Sequence, residues 1–411
     1  MKKNYPWIVV GLLWVVALLN YMDRQMLSTM KPAIQLDIAE LQQATNFGYL
    51  MAVFLWVYGW MSPVSGLVAD RVNRKWLITG SLLVWSAVTL AMGYAQTFNQ
   101  LYWMRACMGV SEALYIPAGL SLIADFHTSR TRSLAIGIHM TGLYTGQALG
   151  GFGATIAARF SWQQTFHTFG LIGILYACVL IFFLKEKERP VEDKEAERFM
   201  LSQKGSSMLK GLGILFTNIS FWVILFYFAI PSLPGWAIKN WLPTLFSETL
   251  HIDMAKAGPV ATITIAVSSL LGVITGGILS DKWVQKNIRG RIYTSAIGIC
   301  LTIPALLLLG LGHSLASIIG AAFCFGFGYG MFDANNMPIL CQFVPARLRA
   351  TAYGLMNMTG VFAGAWITDV LGRSTDAGNL GTSFAILGGI VALALVIQLS
   401  FLRPVREQES A

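Results

Sequence analysis

The sequence predicts an all-α membrane protein: twelve transmembrane helices in two six-helix bundles related by a pseudo-two-fold axis. Three observations lead there. Of 411 residues, 55% are hydrophobic and only 12% charged, about half the ~25% usual in soluble domains. Apolar runs recur along the chain between short polar connections, and each crossing of a ~30 Å hydrocarbon layer needs about 20 such residues. Basic residues gather on alternate connections, and elements of the first half recur in the second.

Taken in order, the runs place spans near 6–30, 44–69, 76–94, 98–124, 133–158, 161–184, 213–238, 254–279, 290–312, 314–340, 350–372 and 380–402. The first begins with two lysines, as a signal peptide does, but no small-residue cleavage site follows its long apolar run, so it reads as a retained span. With the N-terminus inside, 22 of the 29 basic residues fall on inside segments, and the outside segments keep Lys31, Arg159, Lys239, Lys256 and Arg373. The positive-inside rule therefore puts both termini in the cytoplasm. The longest polar stretch, KEKERPVEDKEAERFMLSQKGSSMLK from Lys185, sits between spans six and seven. It divides the chain into an N-terminal bundle (1–189), a cytoplasmic linker (190–210) and a C-terminal bundle with a short cytoplasmic tail (211–411). The halves echo each other: Gly66, Asp70 and Arg71 recur as Gly277, Asp281 and Lys282, and RTRSLAIG (Arg130 to Gly137) recurs as RLRATAYG (Arg347 to Gly354). Paired repeats of this kind build many transporters.

Several function classes fall away. The net charge of +9 is mostly the topological bias, and no basic face or nucleic-acid motif accompanies it. The five cysteines (Cys107, Cys178, Cys300, Cys324, Cys341) form no CxxC pair or metal-ligand spacing and read as packing residues; no metal and no cofactor is expected. An intramembrane enzyme would need a nucleophile with its base or a motif such as HExxH, and the five histidines are scattered. A signalling receptor would need a sizeable cytoplasmic output segment, which the linker and tail do not offer.

Four charges inside spans carry the chemistry: Asp23, Arg24, Arg105 and Glu112. Each costs about 2.5–3.5 kcal/mol at mid-membrane and persists where it is paired or faces water. Asp23 lies about 10 Å in from the outer end of span one at ~1.5 Å per residue, and Arg105 about equally deep in span four, so these two are expected to pair. Glu112 follows two turns further in on the same face as Arg105. The quartet is neutral when ionised. Protonating Asp23 or Glu112 leaves a positive pocket that an anion can neutralise, which is a chemical basis for proton-coupled anion symport.

The segment GLVADRVNRK (Gly66 to Lys75), of the form G-x-x-x-D-R-x-x-R-K, resembles the gating motif of the major facilitator superfamily. In physical terms Gly66 lets another helix approach, Asp70 faces the positive N-terminus of a neighbouring helix, and Arg71 and Arg74 hold the loop. Gly277 and Asp281 are the second copy. N-Y-M-D-R (Asn20 to Arg24) and R-x-x-x-G-x-x-E (Arg105, Gly109, Glu112) are similar to the anion:cation symporter branch, as is WLPTLF (Trp241 to Phe246). That resemblance implies Asp23 and Glu112 as proton-responsive acids, Arg105 as the arginine that tunes them, Arg24 as the group meeting the substrate carboxylate, and Tyr21 and Tyr58 as binding tyrosines.

Beyond that pattern, span ten carries Asp333, Asn335 and Asn336, read either as contacts to substrate hydroxyls or as bonds between helices. Asn357 in span eleven and Tyr144 and Gln147 in span five are further candidates for ligand contact. The glycines of span five (Gly142, Gly146, Gly150, Gly151, Gly153) read as close helix packing. The expected protein is a monomeric, multi-pass bacterial inner-membrane symporter that uses protons to import a small organic anion. An acidic sugar such as sialic acid, a hexuronate or an aldonate is preferred. The alternative is a lipid or amphipathic-drug exporter of the same superfamily, whose pocket would be apolar and open to lipid.

Overall fold

The structure is a computed structural model describing residues 4–186, 213, 215–217, 219–312, 314–344 and 348–401. The expected linker, 190–210, lies outside the described residues. The apolar runs become helices. The first half has span one (Tyr5–Asp37), span two (Ala44–Arg71), span three (Arg74–Met92), span four in two pieces (Phe98–Ala113 and Tyr115–Phe126), span five in two pieces (Ser129–Gly150 and Gly153–Arg159) and span six (Trp162–Phe183). The second half has span seven (Ile219–Leu250), span eight (Met254–Val284), span nine (Gly290–Leu311), span ten in two pieces (Leu315–Asp333 and Asn336–Phe343), span eleven (Arg349–Asp376) and span twelve (Leu380–Phe401).

Packing repeats between the halves. Spans one and five, two and four, three and four, and three and six pack together; so do seven and eleven, eight and ten, nine and ten, and nine and twelve. Each pair in one half is matched six spans later, which is the pseudo-two-fold relation. The halves meet through span two against span eleven and span five against span eight, again a symmetric set.

Ten of these helices are long and apolar enough to cross a membrane among the described residues; spans five and eleven fall short of that apolarity. Both lie between the halves, where close approach selects small and polar residues over lipid-facing ones. Span five shows this directly. A Cβ on Gly142 would come within 2.6 Å of the Trp14 carbonyl, one on Gly150 within 2.6 Å of Gln25, one on Gly153 within 2.7 Å of Thr29, and one on Gly146 would collide with the Leu18 carbonyl. The helices touch backbone to backbone. Gly146→Val is therefore expected to destabilise the protein by on the order of 1–3 kcal/mol or more. Gly66→Ala, with nothing within 4 Å of the added carbon, should leave the melting temperature in detergent unchanged. Equal melting of the two variants would refute this packing.

Spans four and ten break at matching places, each just ahead of a proline. Pro117 has no N–H to donate to the carbonyl of Ala113, and Pro338 has none for that of Ala334. The pieces end at Ala113 and Asp333 accordingly. Each half thus holds a carboxylate five residues ahead of a helix-breaking proline: Glu112 before Pro117, and Asp333 before Pro338.

One face of the molecule carries the chain ends. There Tyr5 donates to the Phe183 carbonyl at 2.8 Å, and His127 lies 3.2 Å from the Pro6 carbonyl. Arg74 pairs with Asp125, joining the start of span three to the end of span four, and Arg289 donates to the Leu399 carbonyl at 2.7 Å. At the far face the halves are bonded shut. The Asp376 carboxylate of span eleven accepts from the Ala44 and Thr45 backbone N–H groups at 2.7 and 2.8 Å and from the Thr45 hydroxyl at 2.6 Å, capping span two from the other half. Thr155 donates to the Ala255 carbonyl at 2.7 Å, Thr262 to the Ala148 carbonyl at 3.1 Å, and Gln25 to the Lys239 carbonyl at 3.0 Å. Among the described residues these inter-half bonds reach no nearer the face of the chain ends than Asn357 to Ser62, 3.2 Å. The cleft between the halves opens toward the face of the termini.

Three expectations are corrected. Lys31 and Lys239 are not in connections: spans one and seven run to Asp37 and Leu250, which puts both lysines inside helices. WLPTLF likewise lies within span seven rather than after it. The cysteines are free, and Cys107, Cys178 and Cys300 are exposed rather than packed inside.

Candidate functional site

The site is built where spans one, two and four meet. Consecutive residues on a helix point about 100° apart, so Asp23 and Arg24 of span one serve different neighbours. Arg24 turns toward span four, and its Nε donates to Glu112 Oε2 at 2.6 Å, forming a buried ion pair. Asn20, one turn earlier on the same face, donates to the same oxygen at 3.0 Å. Glu112 Oε1 and Arg24 Nη2 are buried with no hydrogen-bond partner among the described residues. Asp23 turns toward span three, where the Thr89 hydroxyl donates to it at 3.1 Å.

Arg105 does not form the expected pair with Asp23. Its guanidinium carbon sits 4.5 Å over the ring of Phe54 in span two, and its Nη1 lies 3.7 Å from the Met108 sulfur. The expected pairing fails on direction around the helices: Asp23 turns to span three and Arg105 to span two. Gly109 explains the outcome: a Cβ there would come within 2.7 Å of the Phe54 carbonyl, so spans two and four touch and bring the Phe54 ring under Arg105. The other face of the cluster is aromatic too. The guanidinium carbon of Arg24 lies 4.8 Å from Phe54, 4.8 Å from Tyr58 and 5.1 Å from Tyr21. Flat rings offer a desolvated cation attraction without a formal charge. Both arginines are therefore held against aromatic rings, and among the described residues only Arg24 has a carboxylate in direct contact.

Across the cleft lies Asp333 of span ten. It is exposed although it sits midway through its span. The groups in electrostatic reach of it come from both halves: Tyr21, Tyr144, Tyr227, Lys239, Tyr329 and Tyr353. Its exposure is to the cleft between them. Asn336 donates to Asp333 Oδ1 at 3.1 Å and so fixes the carboxylate. Lys239 is in reach of both Asp333 and Arg24, with its ammonium 4.8 Å from the Trp236 ring.

The remaining candidates divide. Tyr21, Tyr58 and Tyr144 are half-buried around the charged centre. Gln147 is buried and lines a small inter-half cleft with Gln25, Lys239 and Thr262. Two candidates for ligand contact are otherwise engaged. Asn335 is fully buried and donates to the Met331 carbonyl at 2.8 Å, healing the helix break. Asn357 spends its amide N–H on Ser62 of the other half.

In the gating motif, Arg74 pairs with Asp125 and Asp281 lies 3.4 Å from Arg291. The side chains of Asp70 and Arg71 lie outside those described. At Gly66 and Gly277, where a close helix approach is expected, nothing among the described residues lies within 4 Å of an added Cβ.

Sequence reasoning passed over Phe54, Lys239 and Asn20. Phe54 stands one turn before Tyr58, and that spacing on one helix face was its signal. Lys239 was hidden by ending span seven at 238, although the apolar pattern continues through WLPTLF.

The family model for the Major Facilitator Superfamily matches residues 13–368. The chain belongs to the major facilitator superfamily. Within the superfamily it is 25% identical to the hexuronate transporter of Bacillus subtilis, over 98% of this chain and 96% of that one. It is 22% identical to the probable galactarate/D-glucarate transporter of Escherichia coli K12, over 98% and 96%. Its fold is similar to that of a solved bacterial homologue of the human lysosomal transporter Spinster in an inward-facing, unoccupied conformation: TM-score 0.78, 19% identity, 97% of each chain. The protein is thus a multi-pass major facilitator transporter rather than an enzyme, with relatives that carry small organic anions.

Proposed function

We propose that the protein imports an acidic sugar together with protons, across a bacterial inner membrane with both termini in the cytoplasm. One observation carries the reading: Arg24 gives its Nε to Glu112, and its buried Nη2 has no hydrogen-bond partner among the described residues, in a cage of Tyr21, Phe54 and Tyr58. A guanidinium edge of this kind suits a planar carboxylate, which it can take up through two parallel bonds. The neighbouring tyrosines supply hydroxyls for a polyhydroxy cargo and ring faces for its carbon skeleton. Relatives carrying hexuronate and galactarate or D-glucarate agree with that cargo class.

Coupling follows from the shared arginine. A substrate carboxylate on Arg24 competes with Glu112 for the same cation, and a buried carboxylate that loses its counter-charge takes up a proton. Substrate and proton then favour each other's binding, as linkage requires. With the termini in the cytoplasm, the cleft opens inward and the far-face bonds of Asp376 form the closed outer gate. These bonds would part in the outward-open state, and Gly66 and Gly277 would then be approached by the opposite half.

The purified protein in detergent tests the reading. Galacturonate, gluconate and sialic acid should each be compared with galactose for stabilisation against heat, at pH 6 and pH 8, conditions chosen to bracket neutrality. Stabilisation by at least one acid, stronger at the lower pH, is expected. Equal response to galactose, or none to any acid, removes the proposal.

A further inference from the structure

Arg24 on span one and Asp333 on span ten belong to opposite halves and carry opposite charge, and Tyr21 and Lys239 lie within the field of both. A fixed pair of this kind gives the cleft a polarity. The carboxylate of a cargo is drawn to Arg24, and whatever lies at the cargo's other end meets Asp333. Asp333 is acceptor-only when ionised, and it is exposed to the cleft. One of its oxygens takes the Asn336 amide, and no hydrogen-bond donor to the other is found among the described residues. Such a carboxylate accepts well from sugar hydroxyls and repels a second carboxylate. Among the described residues Lys239 is the cation in its field; it makes no ion-pair contact with Asp333 and lies also within the field of Arg24. Without Asp333 the lysine would be an unopposed positive charge at the far end of the cargo.

We propose that Asp333 sets the charge of the accepted cargo: it admits hydroxy acids with one carboxylate and rejects those with a second carboxylate at the opposite end. The inference rests on the acidic-sugar reading above and deepens it. Specificity arises here as much from a repulsive element against the wrong cargo as from attraction to the right one. The residue also has a counterpart in the first half, since Glu112 and Asp333 occupy equivalent places before the two helix breaks. The two carboxylates have diverged in partner. Glu112 is closed off by an arginine, while Asp333 is left open to cargo.

Galacturonate and galactarate serve as probes: both are six-carbon acids of the same hydroxyl configuration, the first a pyranose with one carboxylate and the second an open chain with two, so the readout is the change in their ratio between variants. Uptake of each into proteoliposomes, and competition of each against the other, should be measured for the wild type, Asp333→Asn and Asp333→Ser. The wild type should prefer galacturonate. Both variants should shift the galacturonate-to-galactarate ratio toward the diacid by about tenfold or more, through a gain in galactarate binding rather than a mere loss of galacturonate. A structural role alone would lower both probes together. An unchanged ratio in variants that melt like the wild type overturns this assignment and leaves the acidic-sugar reading standing. Binding of neither acid by the wild type overturns this assignment, and the acidic-sugar reading falls with it only if gluconate and sialic acid also fail to bind.

Discussion

Arg24→Ala should abolish binding of the acid cargo while the protein still folds. Its Nη2 has no hydrogen-bond partner among the described residues, and its surroundings are aromatic. Hydrogen bonds to a charged group are each worth about 1.5–3 kcal/mol, so loss of a two-bond contact weakens affinity by roughly a hundredfold or more. Folding survives for a different reason. Removing one partner of a buried ion pair is costly when the other must stay charged, but Glu112 can become neutral by taking a proton and keeps its bond from Asn20. Arg24→Lys separates charge from geometry: a compact ammonium restores part of the attraction but not the planar fork. Calorimetric titration of purified protein with galacturonate, alongside melting without ligand, measures both effects. Affinity retained by the alanine variant would take Arg24 out of the site.

Much of the fold was legible in the chain because membrane insertion writes itself into composition. Spans must be long and apolar, and their connections must be short and sign-biased. The twelve helices therefore fall near the expected runs, with ends displaced at spans one and seven, where prolines sit within helices that simply continue. The site was legible to the level of which residues but not of which pairs. Asp23, Arg24, Arg105 and Glu112 stand out because charge inside a membrane needs a reason. Spacing fixes depth along a helix. The angle around it depends on tertiary contacts such as the close approach at Gly109, which no local pattern reveals. Asn335 shows a different limit. In the sequence it is one of three polar residues beside a glycine-rich run, and only the break at Ala334 shows that its amide satisfies the backbone, while Asp333, two residues earlier, faces the cleft.

The second large effect concerns Glu112. Glu112→Gln keeps the shape of the side chain and an oxygen able to accept from Arg24 and Asn20, but it cannot exchange a proton. Uptake driven by an inward proton gradient should fall to the level of passive equilibration, and its rise on external acidification should disappear. Exchange of labelled for unlabelled cargo across proteoliposomes should continue, because that half of the cycle needs the gate to move but no net proton transfer. Asp23→Asn is the informative comparison. Asp23 is bonded to Thr89 and lies on the other side of span one from the Arg24 contact, so cargo on Arg24 changes its partner less than it changes that of Glu112. Its neutralisation should slow transport while leaving a pH response. If the response survives in Glu112→Gln and vanishes in Asp23→Asn, the carrier of the coupled proton is Asp23. The arginine exchange between cargo and Glu112 would then serve only to release the cargo.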